Sequence, residues 1–469
     1  MLMVVILSLL LSTVMSAVGH AAAGMAERHY ELVSPPDKNS SAIFNGVIAH
    51  DGGRVVITAA GGLDGGGLSS PSLAVRASDG TWDTRSLLPP SDQRPYTGYL
   101  LVAHDPNLTQ FLAESTSSLF GGGAPAALVH LDDHAHQTIL STYTAEINGL
   151  FTAVSADDLS HVYASVNASF DPDDPPGSGN IYDIAKSPPL LVSRLPDGTV
   201  PACGAGLVST EGSGAQRQTA RDGSTVFFSS SIGPDLCGFS SNLPILFARD
   251  VTAGTTAMLS GPPLSGLQTG VDFLQGSADG TQAFFATATQ LTPDDTDLLG
   301  DVYRWTKTSG LTCITCIATV PANIRDTAGR FRQTVAVAPD LSRMYFVSQS
   351  ALAPGGIDGE NNLYVWHTTP TSGPAGTIDY IAPNSAFMVN NPLFGSELTP
   401  DGNTIIFSGG GEPALDVLSG SQSGGHVQLY RYHDSDHTLT CVSCPPHTHQ
   451  QPTTSPISPA GSSTLIMCG

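Results

Sequence analysis

Cations are scarce in this chain. Lysine occurs three times (Lys38, Lys186 and Lys307), and Lys plus Arg number 18 against 41 acids, for a formal charge of −23. Nucleic acid and anionic membrane surfaces are recognised through clustered Lys and Arg, so neither is expected as a partner. Glutamate is nearly as rare: eight residues, against 33 Asp. With helix formers so thin and no sustained 3.6-residue periodicity after the N-terminus, the chain reads as all-β. Long apolar runs are missing beyond that N-terminus, so no later segment is expected to enter a membrane. Contiguous catalytic signatures are missing too. There is no G-x-S-x-G elbow, no H-E-x-x-H and no phosphate-binding Gly loop ahead of a helix. Haem attachment by C-x-x-C-H is excluded, because Ile317 follows Cys316 and Pro445 follows Cys444.

What is present starts with an apolar run, Leu2 to Val18, ahead of Ala21-Ala22-Ala23. This predicts a signal peptide over residues 1–23 and a secreted or periplasmic mature protein. Gly (50) and Pro (34) suit a structure full of turns rather than a disordered one. Much of the acidity has the same origin, since Asp in turns accepts backbone N–H groups just ahead of it.

The dominant pattern is a repeat in which an apolar strand, a tight turn on Asp-Gly or a relative, and a second apolar strand recur. Its marker acids are Asp51, Asp105, Asp157, Asp222, Asp279, Asp340 and Asp401, and a worn eighth copy runs from Ile457 to Met467. A period of this length with several short strands per unit predicts a β-propeller, because one blade cannot bury both of its faces alone. Residues 27–469 are read as one propeller domain. Its blades span approximately 43–92, 97–142, 150–204, 213–261, 271–318, 331–383 and 393–445, with a partial eighth at 455–469. The expectation is seven full blades plus that partial copy, in a seven- or eight-bladed ring; either the strand-like His29 to Pro35 adds a third strand to the eighth, or the sequence is a fragment without the rest of it.

Third strands are expected at ILFARD, DVYRWT, NLYVWH and QLYRYH, and fourth strands at TTAMLS, LTCITC, IDYIA and TLTCVSC. The motif S-x-D-G, apolar strand, loop, L/V-Y-x-W/Y is clearest over Ser277 to Trp305, Ala338 to Trp366 and Thr399 to Tyr432. It resembles the WD40-like repeat of TolB-type propellers, most clearly from about Gln218 onward. The resemblance implies a bacterial, exported protein that acts through protein contacts. The departure is in architecture: that family's type member has six blades beside a small α/β domain, which has no counterpart here.

Propeller geometry sends every second-to-third-strand loop to one face and the Asp turns to the other. The long loops Ser169 to Asn180, Ser230 to Pro244, Thr289 to Gly300, Ser350 to Asn361 and Gly409 to Gly425 are therefore expected to share a face, where binding usually resides.

Two of these loops are acidic. Asp294, Asp295, Asp297 and Asp301 lie together in one, and Asp358, Glu360 and Asn361 in the next. Such oxygen clusters suit calcium, the one cofactor the sequence suggests, although no bidentate Glu follows; solvated acids capping the next strand are the plainer reading. The C-x-x-C pairs Cys313/Cys316 and Cys441/Cys444 occupy the same place in blades five and seven. Two blades apart, they cannot share one zinc, and short disulfides are expected. Cys203 with Cys237 would make a third, leaving Cys468 odd. Cys441, Cys444, His447 and His449 form a local zinc-type ligand set as an alternative.

The function expected is a non-enzymatic, monomeric scaffold that binds a protein or cell-envelope ligand through its long loops. The alternative is a lactonase- or lyase-like enzyme holding a divalent cation in the tunnel. That would need carboxylates or histidines from several blades to converge, and His104, His130, His134 and His136 keep it open.

Overall fold

The strands that make each blade carry near-continuous apolar runs because both of their faces are covered by neighbouring blades. In the second strands Thr225–Ser230, Gln282–Thr287 and Arg343–Ser348, nearly every residue is buried. Fourth strands such as Thr255–Met258 and Thr438–Cys441 are part-exposed along their length, as befits outer edges. The computed structural model describes residues 33–35, 43–49, 51–59, 63, 71–89, 92, 98–116, 126–143, 153–175, 177–208, 217–230, 244–264, 269–316, 324, 335–368, 376–383, 397–409, 413–421, 423 and 425–444.

These strands form seven four-stranded antiparallel sheets, each meandering in chain order, and the chain is a seven-bladed β-propeller. First strands open at Ile43, Gly98, Ala153, Gly206, Val271, Val335 and Glu397, and the seventh blade closes at Cys441. The expected eighth copy, Ile457 to Met467, lies outside the described residues, as do the leader (1–23) and His447, His449, Cys237 and Cys468. The third strands fall where the motif put them: Ile245–Asp250, Asp301–Thr306, Asn362–His367 and Gln428–His433. One short helix, Pro413–Ser419, interrupts the all-β order in the second-to-third loop of blade 7.

The core lies between sheets. Six clusters each join one blade to the next, from Ala49, Leu73 and Phe111 at blades 1 and 2 to Val365, Phe407 and Tyr430 at blades 6 and 7. Aromatic rings meet edge-to-face or stacked across and within these layers, as Phe284 meets Trp366 and Phe227 meets Trp305.

The Asp-turn face is stitched from blade to blade. Tyr163 donates to the Gly223 carbonyl of the next blade, and Tyr345 donates to the Gly402 carbonyl (2.7 Å). In each turn the residue after the marker position is left-handed: Gly52, Gly223, Gly280 and Gly402 in four blades, but Leu108, Leu159 and Leu341 in the other three. At Gly402 the glycine is forced, since a Cβ would stand 2.4 Å from that of Ala338 in the preceding blade. The marker acid of blade 3 is Asp158, which accepts the Ser160 N–H, rather than the expected Asp157. Asp157 instead meets Arg217 and Arg221 of blade 4. In blade 2, Asp105 sits deeper and accepts the N–H groups of Thr109 and Gln110.

Among the described residues, four of the scarce cations bridge blades on this same face. Lys307 reaches Asp250 (2.6 Å), Arg343 reaches Asp434 (2.7 Å), and Arg54 and Arg85 face Asp133 (3.7 Å each), every pair crossing from one blade to its neighbour.

Candidate functional site

Opposite the stitched face, the long loops are held by one recurring device. A Tyr at the third position of the third strand reaches back into its own loop: Tyr182 donates to Asp174, Tyr303 to Asp295, and Tyr364 to the Ser350 carbonyl. The first residue of that strand supplies the second anchor. In blade 3, Asn180 donates its amide to Asp174 (2.7 Å) and accepts the Ser193 hydroxyl (2.8 Å). In blade 6, Asn362 spans three loop carbonyls, those of Ser348, Ile357 and Glu360. The loops are long, but their bases are fixed on the rigid ring.

Blade 5 breaks the pattern. Asp301 stands where Asn180 and Asn362 stand and accepts the Thr315 hydroxyl, but it has no amide proton to offer Asp295. Carboxylate oxygens of Asp295, Asp297 and Asp301 lie within 4.8 Å of one another, while Asp294 falls outside that trio. Burial pushes Asp301 up to about 7, against the Thr315 hydrogen bond and with help from the charges of Asp295, Asp297 and Asp294. Burial also raises Asp295, although Tyr303 and the Asp297 N–H pull the other way. The sequence motif therefore does bring three of its four acids together.

The cysteine pairs resolve in favour of disulfides. Cys313 is bonded to Cys316 and Cys441 to Cys444. This corrects the zinc reading of Cys441 and Cys444, whose sulfurs are not thiolate donors; His447 and His449 lie outside the described residues. Cys203 is also disulfide-bonded.

Of the seven innermost strands, three contain a carboxylate or imidazole residue: His104, Asp272 and Glu397. His134 and His136 sit instead on the blade 2 turn opposite the loop face, with Nδ1 atoms against Asp133 and Asp132. Sequence reasoning missed Glu114, a buried carboxyl on the second strand of blade 2, pushed up to about 7 by burial. A single Glu inside the apolar run QFLAEST was the available signal.

The loop face also exposes large apolar side chains. Leu298 (56% exposed) and Leu299 project from the blade 5 loop, Ile357 (59%) from the blade 6 loop, and Val417 (81%) and Leu418 from the blade 7 helix. Leu264, in the connection entering blade 5, is exposed beside them, its N–H bonded to the Gln290 carbonyl. The helix packs on the outer strand of blade 6, Thr377–Pro383, and the blade 6 loop approaches the same strand where Gly355 faces Tyr380.

These features define a seven-bladed propeller with one variable, apolar and acidic face. No protein-family model matches the chain, and no curated protein matches its sequence. Solved structures similar to it include prolyl oligopeptidase B from Galerina marginata (9% identity, 86% of this chain and 50% of that chain, TM-score 0.42). Others are the acylaminoacyl peptidase of Pyrococcus horikoshii (10%, 86% and 52%, 0.37) and hydrazine synthase of Kuenenia stuttgartiensis (12%, 72% and 93%, 0.32). The chain spans about half the length of the two peptidases. At these identities and scores the likenesses carry no functional argument.

Proposed function

We propose that this protein is an exported, non-enzymatic scaffold of the TolB-like kind, binding a protein partner through the loop face of blades 5 to 7. The observation that carries the reading is the side-chain distribution on that face. Leu298, Leu299, Ile357, Val417 and Leu418 stand exposed on three successive blades, where loops bound only for solvent would be polar. The anchoring of each loop base by Tyr303, Asn362 or Leu415 holds these side chains on fixed supports, which lowers the entropy lost on docking. The two short disulfides and the leader-like N-terminal run support export.

The test is site-directed photo-cross-linking. A cross-linking residue placed at Ile357 or Val417 is expected to capture one common protein in the native compartment. The same residue at Ile139, exposed on the outer strand of blade 2, is expected not to capture it. Equal capture from Ile139 would refute the assignment of this face.

A further inference from the structure

Among the described residues, most of the ion-paired cations lie on the opposite face, and that leaves exposed carboxylates unpaired beside the exposed apolar residues. Arg54, Arg85, Arg217, Arg221, Lys307 and Arg343 all pair with acids on the Asp-turn side. In blade 3 the acids of the long loop are also answered, since Arg194 meets Asp171 (3.3 Å) and Asp173 (3.2 Å). Among the described residues, the long loops of blades 5 and 6 have no such answer. Residues 289–300 and 350–361 contain no Lys or Arg at all, nor does the stretch 413–427 on blade 7. Asp294, Asp358 and Glu360 are exposed, and among the described residues none of their carboxylates has an ion-pair or hydrogen-bond partner.

In blades 5 and 6 these acids alternate with the apolar side chains along the chain: Asp294, then Leu298 and Leu299; Ile357, then Asp358 and Glu360. An acidic or neutral apolar partner would bury its surface beside exposed carboxylates that no described residue pairs. A partner with Lys or Arg beside its apolar residues gains on both counts. The apolar contacts supply affinity, and the charges speed encounter and fix register.

We propose that the occupant of this face is a basic, amphipathic polypeptide segment, its apolar side chains on Leu298, Leu299, Ile357, Val417 and Leu418 and its cations on Asp294, Asp358 and Glu360. This rests on the loop-face reading above and adds the chemistry of the partner.

The test uses the full chain and three synthetic peptides of about 14 residues, about 21 Å if helical. One carries Leu on one face and Lys on the other, the second replaces Lys by Glu, and the third keeps Lys but replaces Leu by Ser. Binding is read by fluorescence anisotropy. The Leu–Lys peptide is expected to bind, and to weaken as salt rises from about 50 to about 300 mM. The triple variant Leu298→Ser, Ile357→Ser, Val417→Ser should weaken it by about tenfold or more. The triple variant Asp294→Asn, Asp358→Asn, Glu360→Gln should remove most of the salt dependence.

If the Leu–Glu peptide binds equally well, the basic partner is overturned while apolar docking stands. If the Ser–Lys peptide binds equally well, the apolar face is overturned too. No binding by the Leu–Lys peptide, or binding indifferent to both triple variants, also overturns the proposal.

Discussion

Replacing Asp301 by Asn converts the odd anchor of blade 5 into the one used by blades 3 and 6. The blade 3 geometry shows what the amide would do: accept the Thr315 hydroxyl as Asn180 accepts Ser193, and donate to Asp295 as Asn180 donates to Asp174. Asp301 is raised from 3.8 to about 7, foremost by burial. A carboxyl raised on folding contributes stability that is complete below its unfolded value, near pH 4, and is lost as pH rises through about 7. A shift of about three pH units at about 1.4 kcal/mol each sets the loss at about 4 kcal/mol by pH 8.5. The amide stays neutral throughout. In chelator, the difference in melting temperature between Asp301→Asn and the parent should therefore be smallest near pH 4.5. It should grow in favour of the variant as pH rises from about 4 to about 7 and level off above 7. A variant that is less stable at pH 8.5, or a difference that ignores pH, would refute the argument. The calcium reading of Asp294, Asp295, Asp297 and Asp301 predicts the reverse when calcium is added: the parent gains stability at pH 8.5 and the variant does not.

Two further substitutions probe other parts of the ring. Glu114→Gln removes a buried carboxyl raised by burial to about 7, so its advantage over the parent should likewise grow from about pH 4.5 to about 7 and then level off. A constant offset in urea-unfolding midpoints from pH 5 to 8.5 would show that Glu114 is not charged by deprotonation in that range. Gly402→Ala forces a Cβ against Ala338 at a left-handed position and should cost about 2–4 kcal/mol. Gly80→Ala, equally left-handed but with nothing within 4 Å, should cost about 1 kcal/mol. Equal losses at the two glycines would mean that the inter-blade contact contributes little.

The propeller was legible because its central strands must be apolar on both faces, which turned TVFFSS, QAFFAT and RMYFVS into regular markers. The turns were legible where Asp-Gly made them and blurred where Leu108 and Leu159 take the left-handed position, because leucine gives no turn signal. That is also why the marker acid of blade 3 is displaced by one residue from Asp157 to Asp158. The helix Pro413–Ser419 escaped notice because seven residues are too few to show a 3.6-residue period. At the loop face, the positions of the acidic clusters could be read from sequence. What Asp301 does there could not, because its meaning depends on a neighbour eight residues ahead of Tyr303 and on comparison with Asn180. The apolar side chains of that face gave no separate signal either; exposed and buried leucines look alike in a sequence.

The Tyr-to-carbonyl contacts and crossing ion pairs tie neighbouring blades together on one side of the disc. Changes on the other side do not touch those joints. Loops there can be lengthened, shortened or exchanged between blades while Tyr163, Tyr345 and Arg343 keep the ring in register. A chain built this way can acquire a new partner by altering exposed loop residues such as Leu298, Ile357 or Val417 while the buried anchors Asp174, Asp295 and Leu415 stay in place.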